Sequence, residues 1–226
     1  LPSADTATRE DVEAWWASRA HLSPATRSND LAILRTFYAW CRRWEHRDDD
    51  PTLRIDAPKV PRGLPRPMSR ADLTRLLPTL PDDLRRAVCL GAYGGLRVSE
   101  AAALTWHDVD LETRRIRVLG KGGKTRLVGM SPLLLDELLP DTGGNVVAAG
   151  GAPYTAGTLQ RKVNRAIRAA GVDATFHQLR HRFGTVALAA TGNLLAVSRA
   201  MGHASPATTA IYAATSDADL DVIADA

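Results

Sequence analysis

Residues 114–130 read Arg-Arg-Ile-Arg-Val-Leu-Gly-Lys-Gly-Gly-Lys-Thr-Arg-Leu-Val-Gly-Met. From Arg114 to Leu119 basic and apolar side chains alternate, the two-residue period of a strand with one buried face. Gly120-Lys121-Gly122-Gly123-Lys124 is a turn signal, and Thr125 to Met130 returns as the paired strand. Around this hairpin the chain reads as helix. Helices are predicted at about 70–78, 83–93, 98–105, 131–139, 156–170, 177–191, 194–201 and 206–213, with a last one at about 217–225. Ser69-Arg70-Ala71-Asp72 opens the first of them as a capping signal. The fold class is mostly α with a small antiparallel β-hairpin or three-stranded sheet.

Upstream, Thr8 to Ala20 and Pro24 to Trp44 carry helical periodicity. Ser23-Pro24 marks the second start, with Ser as N-cap and Pro at the first helical position. Arg27, Leu31, Leu34, Tyr38 and Cys41 follow steps of four and three, and Ile33, Phe37, Trp40 and Trp44 form an adjoining stripe. Together they make a wide apolar face, expected to lie in a core. Arg35, Arg42 and Arg43 fall off that face, either as contacts to a phosphate backbone or as a solvated surface. From Asp48 the composition changes. Pro51, Pro58, Pro61, Pro65 and Pro67 cannot continue a helix or a central strand, so this stretch reads as a semi-rigid linker carrying Lys59, Arg62 and Arg66. The expected organisation is a helical part at 1–57, a linker at 58–67 and a larger domain at 68–226. Two helices are too few to bury a core by themselves.

The 226 residues are 45% hydrophobic and 24% charged, a globular balance that excludes collagen-like and disordered classes. No run of about 18 apolar residues is present, which excludes a membrane-spanning helix. Leu1-Pro2-Ser3-Ala4-Asp5 has no signal-peptide pattern, and without an initiator Met the chain is either natively short or trimmed. Cys41 and Cys89 are isolated, which gives neither a disulfide framework nor a zinc site and fits a reducing, cytoplasmic setting. Basic residues number 29 against 25 acidic, a net charge of +4, and all but Lys59, Lys121, Lys124 and Lys162 are arginine. Residues 214–226 hold four aspartates and no base, whereas 68–213 carry 18 basic and 11 acidic groups. An arginine-rich body with a separate acidic tail suits phosphate binding plus a tail that docks elsewhere.

Four short stretches stand out: Gly94-Gly95-Leu96-Arg97-Val98-Ser99-Glu100, Gly120 to Lys124, His177-Gln178-Leu179-Arg180-His181, and Met201-Gly202-His203 followed by Ile211-Tyr212. Each has a plainer reading on its own. Arg97 suits a surface arginine, Lys121 a hairpin tip, and Tyr212 a core or capping position. His177 and His181 have the spacing of a metal pair, but no third ligand lies nearby and no Glu stands between them where that pattern requires one. No metal is expected.

Taken in this order, the boxes G-L-R-x-S-E, G-K-G-x-K, H-x-L-R-H and G-H, with a Tyr nine residues after the last, resemble the tyrosine recombinase (phage integrase) family over roughly residues 68 to 215. The resemblance implies a tyrosine recombinase-like catalytic domain joined to a partial helical core-binding domain, as in a small integrase without an arm-binding domain. It implies that Tyr212 is the nucleophile, that Arg97 and Arg180 hold the non-bridging oxygens of a phosphate, and that Lys121 protonates the leaving 5′-oxygen. His177 and His203 would add hydrogen bonds, with His177 relaying the proton from Tyr212. Glu100 orients Arg97, Lys124 touches the phosphate backbone, and His181 has no catalytic role. A tyrosyl phosphodiester keeps the bond energy, so no nucleotide and no other cofactor is expected.

The expected partner is a double-stranded DNA core site. The chain would act as a homotetramer on DNA, with a monomer as the alternative state in solution, in the bacterial host cytoplasm, in phage integration or excision. The acidic tail, with Leu220, Val222 and Ile223 on one face, docks either on a neighbouring subunit or on its own domain. Residues 143–151 read as a loop where the family has a short strand-like piece. A catalytically silent DNA-binding module and a type IB topoisomerase-like nicking-closing enzyme are the alternative functions.

Overall fold

The computed structural model describes residues 3, 6–60, 66–120, 123–138, 144–203 and 208–210. The chain divides into two compact units, residues 1–63 and 64–226.

In the first unit, Thr8 and Asp11 cap helix α1 (Arg9–Ser18) reciprocally, and Ser23 caps α2 (Pro24–Arg43) with Pro24 in its first turn. Val12 of α1, Leu31 and Tyr38 of α2 and Ile55 close a small core, with Trp16 and Leu34 at its edge. Arg27 lies over the Trp16 ring at 4.3 Å. Only one of the two apolar stripes predicted on α2 is buried. Ile33, Phe37, Trp40 and Trp44 are exposed, a correction to the expected wide core face. The reason is coverage: α1 and the Ile55 segment lie over the Leu31–Tyr38 face, and no third described helix of this unit covers the other.

The second unit runs α3 (Arg70–Leu76), α4 (Asp82–Gly94), α5 (Val98–Ala103), β1 (Val109–Asp110), β2 (Arg115–Leu119), β3 (Thr125–Gly129), α6 (Pro132–Glu137), β4 (Ala148–Ala149), β5 (Ala152–Pro153), α7 (Ala156–Ala169), α8 (Phe176–Thr191) and α9 (Leu194–Met201). This is mostly helical with a small antiparallel sheet, as the sequence indicates. Ser69 caps α3 through the Asp72 amide. The core is built around α4, whose Leu84, Ala87, Val88, Leu90 and Ala92 are buried together with Leu134 of α6, Leu159, Val163 and Ile167 of α7, and Phe176 and Leu179 of α8. The edge of the unit is pinned where Met68 N–H donates to the Gln178 carbonyl.

The sheet order is β1-β2-β3, antiparallel throughout. Ile116 faces Val128 and Val118 faces Arg126. Because side chains alternate across a strand, Ile116, Val118 and Val128 enter the core and Arg126 points the same way. Leu119 and Leu127 take the opposite, exposed face.

Two differences from the sequence reading have local causes. The stretch expected as a loop at 143–151 contains β4, which pairs with β5 across Gly150 and Gly151, both at positive φ. Val146 and Val147 are buried beside it. On α8 the helical spacing predicts one buried stripe, Leu179, Phe183, Val186 and Ala190, and the structure buries Leu179 but exposes Val186 and Ala190. Past Gly184 the helix leaves the main core, and Ala187 and Leu188, with Phe183 before them, pack against Val197 and Met201 of α9. The helix predicted at 206–213 lies mostly, and that at 217–225 wholly, outside the described residues.

Gly95 ends α4 in the left-handed conformation at φ 65°, and a Cβ there would run into the Phe183 ring. Gly171 has φ 69° with nothing within 4 Å of its Cβ position. Gly95→Ala is expected to lower unfolding free energy by about 2–4 kcal/mol, combining left-handed strain with overpacking, and Gly171→Ala by about 1 kcal/mol. Urea unfolding followed by circular dichroism checks the difference.

Candidate active site

The turn after α4 delivers Arg97 to the start of α5, with Glu100 one turn later. The Glu100 side chain is 5% exposed. Its carboxylate accepts from the Arg97 backbone N–H at 2.7 Å, from Arg97 Nη1 at 2.8 Å, and from both Nη atoms of Arg126 at 2.8 Å each. Burial alone would raise the Glu100 pKa. The hydrogen bonds from Arg126 and Arg97 outweigh burial and hold it down at about 2.

Arg180 comes from the second turn of α8 and is 3% exposed. Its Nη1 donates to the Gly95 carbonyl, its Nη2 donates to the Met201 carbonyl at 2.6 Å, and it stands 3.9 Å from Glu100. Arg97 Nη2 donates to the Gly202 carbonyl at 3.0 Å, and Arg126 Nε to the Ala200 carbonyl at 2.7 Å. Thus three consecutive carbonyls at the end of α9 each accept from a different arginine. A helix C-terminus leaves its last carbonyls without intrahelical partners and carries partial negative charge. Here Ser198 and Arg199 are satisfied by the left-handed turn at Gly202, and guanidinium groups take the next three.

His203 follows that turn. Its N–H donates to the Ser198 carbonyl at 3.1 Å, and its Nδ1 lies 2.6 Å from Thr209 Oγ1. His177 occupies the first turn of α8, with its ring edge-on to His181 at 4.3 Å between centroids. Burial, and then Arg180 and Arg97 beside them, depress the pKa of both His177 and His203, the latter to about 4. Burial and the neighbouring His177 and Arg180 take His181 to about 4. The His203 and His181 imidazoles are therefore neutral at pH 7, able to donate from one nitrogen and accept at the other. Among the described residues no group of three or more His, Cys, Asp or Glu could hold a metal.

The structure thus brings together Arg97, Glu100, His177, Arg180 and His203. Lys121, Tyr212 and Arg62 lie outside the described residues. Gly120 N–H donates to the Lys124 carbonyl at 2.8 Å, and the Lys124 side chain is exposed. Arg42, Arg43, Lys59 and Arg66 are exposed. Arg35 donates from Nη2 to the Ile55 carbonyl at 2.6 Å, a tie within the first unit.

Two features escaped the sequence reading. Arg126, held between Glu100 and α9, reads in the sequence as one more residue of the returning strand, although an arginine two positions before the inward Val128 is out of place on that face. The other is a cationic face on α7, where Arg161, Lys162, Arg165 and Arg168 line one exposed depression. The steps of four and three among Arg161, Arg165 and Arg168 made it legible.

Residues 68–219 match the phage integrase family. A tyrosine recombinase XerC from Xanthomonas campestris pv. campestris (strain B100) is 35% identical over 209 residues, covering 86% of this chain and 65% of that protein. The chain therefore spans less than two thirds of that relative's length. A tyrosine recombinase XerD from Xanthomonas axonopodis pv. citri (strain 306) is 37% identical over 225 residues, covering 87% of this chain and 74% of that protein. A crystal structure of a lambda integrase dimer bound to a COC′ core site superposes with a TM-score of 0.76 at 19% identity, covering 94% of this chain and 66% of that one.

Glu100 makes stability depend on pH. Its folded pKa of about 2 lies below the ordinary 4.5, so its contribution is fully present above the unfolded value and is lost as pH falls through the window from about 4.5 to about 2. Wild type should lose about 3 kcal/mol across that window from this group. Glu100→Gln should lack that share of the slope and be less stable at pH 7 by about 3 kcal/mol. Chemical denaturation at a series of pH values checks both.

Proposed function

The chain belongs to the phage integrase family, and from that premise we propose that it is a site-specific DNA recombinase that breaks and rejoins strands through a 3′-phosphotyrosine link. The observation that carries this reading is the convergence of Arg97, Arg180 and His203 on the end of α9, around the ionised Glu100, with His177 one turn before Arg180 on α8.

Strand transfer at a phosphodiester needs a nucleophile, charge neutralisation at a pentavalent phosphate, and a proton for the departing oxygen. In this reading the Tyr212 hydroxyl attacks phosphorus as His177 accepts its proton. The bond from phosphorus to the 5′-oxygen breaks, and Lys121 protonates that oxygen. Arg97, 40% exposed at its side chain, and Arg180 beneath it supply fixed positive charge to the non-bridging oxygens. His203, neutral at pH 7, donates a further hydrogen bond. Attack of a 5′-hydroxyl on the phosphotyrosine reverses every step, so no energy source is consumed.

Double-stranded DNA would lie along the α7 cations and Lys124, with Arg42, Arg43, Lys59, Arg62 and Arg66 supplying backbone contacts from the 1–57 part and the 58–67 linker. Arg35, tied to Ile55, has less freedom for that role. We assign residues 214–226 to contacts between subunits of a homotetramer on DNA, within a bacterial cytoplasm. The XerC, XerD and lambda integrase likenesses support exchange at a specific site and do not single out phage DNA, so integration or excision of a phage is not retained as the assignment.

A nicked duplex carrying a candidate core site, incubated with the protein in EDTA, should give a covalent protein–DNA band on a denaturing gel. Tyr212→Phe should abolish the band, and Arg97→Ala should slow its formation by about 10²–10³-fold. A band that needs magnesium, or one that survives Tyr212→Phe, overturns the mechanism. No band with DNA binding retained would favour a silent binding module, and relaxation of supercoiled DNA without strand exchange would favour a nicking-closing enzyme.

A further inference from the structure

Arg126 is an arginine on the core face of a strand, opposite Val118 and beside Val128. Its side chain is 11% exposed, so it is poorly placed to meet a ligand, unlike Arg97. Its fork is engaged on two elements at once. Both Nη atoms grip Glu100 at 2.8 Å, and Nε donates to the Ala200 carbonyl at 2.7 Å. Two glycines approach it closely. A Cβ on Gly202 would lie 3.0 Å from Arg126 Nη1, and a Cβ on Gly120 would lie 3.8 Å from the same atom. One guanidinium therefore joins Glu100 of α5, just after Arg97, to the Ala200 carbonyl at the end of α9, just before His203.

We propose that Arg126 is a positioning residue for strand cleavage, fixing the end of α9, and with it His203, against Glu100 of α5. The proposal deepens the recombinase reading and rests on it. A planar fork is required because three donor directions are used together. A lysine ammonium can pair with Glu100 but cannot hold a carboxylate bidentately and a helix carbonyl at once.

The test compares wild type with Arg126→Met, Arg126→Lys and Arg85→Met. The last breaks the Arg85–Glu137 pair at 3.0 Å between α4 and α6 and serves as a control for loss of stability alone. Amide hydrogen exchange is read on the free proteins. The rate of covalent complex formation at saturating nicked duplex, and DNA affinity by titration, are read at a temperature where circular dichroism shows each protein folded. In Arg126→Met, exchange at Gly202 and His203 should accelerate by about tenfold or more relative to the amides of α4, signifying local opening. Cleavage should slow by about 10- to 100-fold, with DNA affinity within about two-fold of wild type because phosphate contacts are untouched. Arg126→Lys should recover part of the rate, and carries the comparison if Arg126→Met does not fold. Arg85→Met should lose stability and keep its cleavage rate within about two-fold, being remote from the site.

Unchanged exchange at Gly202 and His203, cleavage by the Arg126 variant within about two-fold of wild type, or an equal rate loss in Arg85→Met would each overturn the proposal. Absence of the covalent band in wild type would instead overturn the recombinase reading beneath it, so the two failures are distinct.

Discussion

Three guanidinium groups, from Arg97, Arg126 and Arg180, gather where α5, β3, α8 and the end of α9 meet, and one buried carboxylate, Glu100, allows them to do so. Bringing three like charges out of bulk water is unfavourable unless they are paired and hydrogen-bonded. Glu100 accepts from Arg97 and Arg126 directly and lies near Arg180, so it compensates one charge and leaves two. Burial, reinforced by that residual charge, keeps the His203 imidazole neutral, and the charge makes the site attractive to an anion. The same carboxylate binds the Arg97 backbone N–H, which fixes the first turn of α5 and hence the point from which the Arg97 side chain departs.

The arginines find their other partners in main-chain carbonyls. Ala200, Met201 and Gly202 present three acceptors in succession because α9 ends there in a left-handed turn. The negative end of the helix and the cations stabilise each other. This couples the site to the segment that carries His203, since a shift of that turn must break guanidinium hydrogen bonds. A buried network of this kind is stable only when fully satisfied, and the contacts of Glu100, Arg126 and Arg180 show how closely this one meets that condition. Arg97, the most exposed of the three, is the member best able to join an incoming phosphate.

The first unit shows a limit of pattern reading. The periodicity of α2 identifies every apolar position and says nothing of what lies over each. Leu31 and Tyr38 are buried because Val12 and Ile55 reach them, whereas Phe37, Trp40 and Trp44 are equally apolar and exposed. The second half of α8 repeats the point at Val186. Amphipathic spacing reports which face a helix prefers to bury, and coverage depends on chain distant in sequence.

Local chemistry fixes much of this protein without reference to its tertiary structure. Ser23 and Ser69 cap helices through their own neighbours, the glycines after Leu119 close a turn, and the alternation in β2 follows from a two-residue period. For that reason helix positions, the hairpin and the order of the arginine and histidine boxes were all readable along the chain. The role of Arg126 was not. Its neighbour Leu127 is the more apolar residue, and either could have faced inward. The pairing of Ile116 with Val128 and the fit of both into the core chose Arg126, and a one-residue slip would have reversed the choice. Likewise, no spacing rule links Glu100 or Ala200 to Arg126, because those contacts join residues 26 and 74 positions apart. The helices, the hairpin and the order of the arginine and histidine boxes follow from near neighbours along the chain. Only the tertiary structure decided which charges compensate one another, because that depends on which distant side chains share a buried volume.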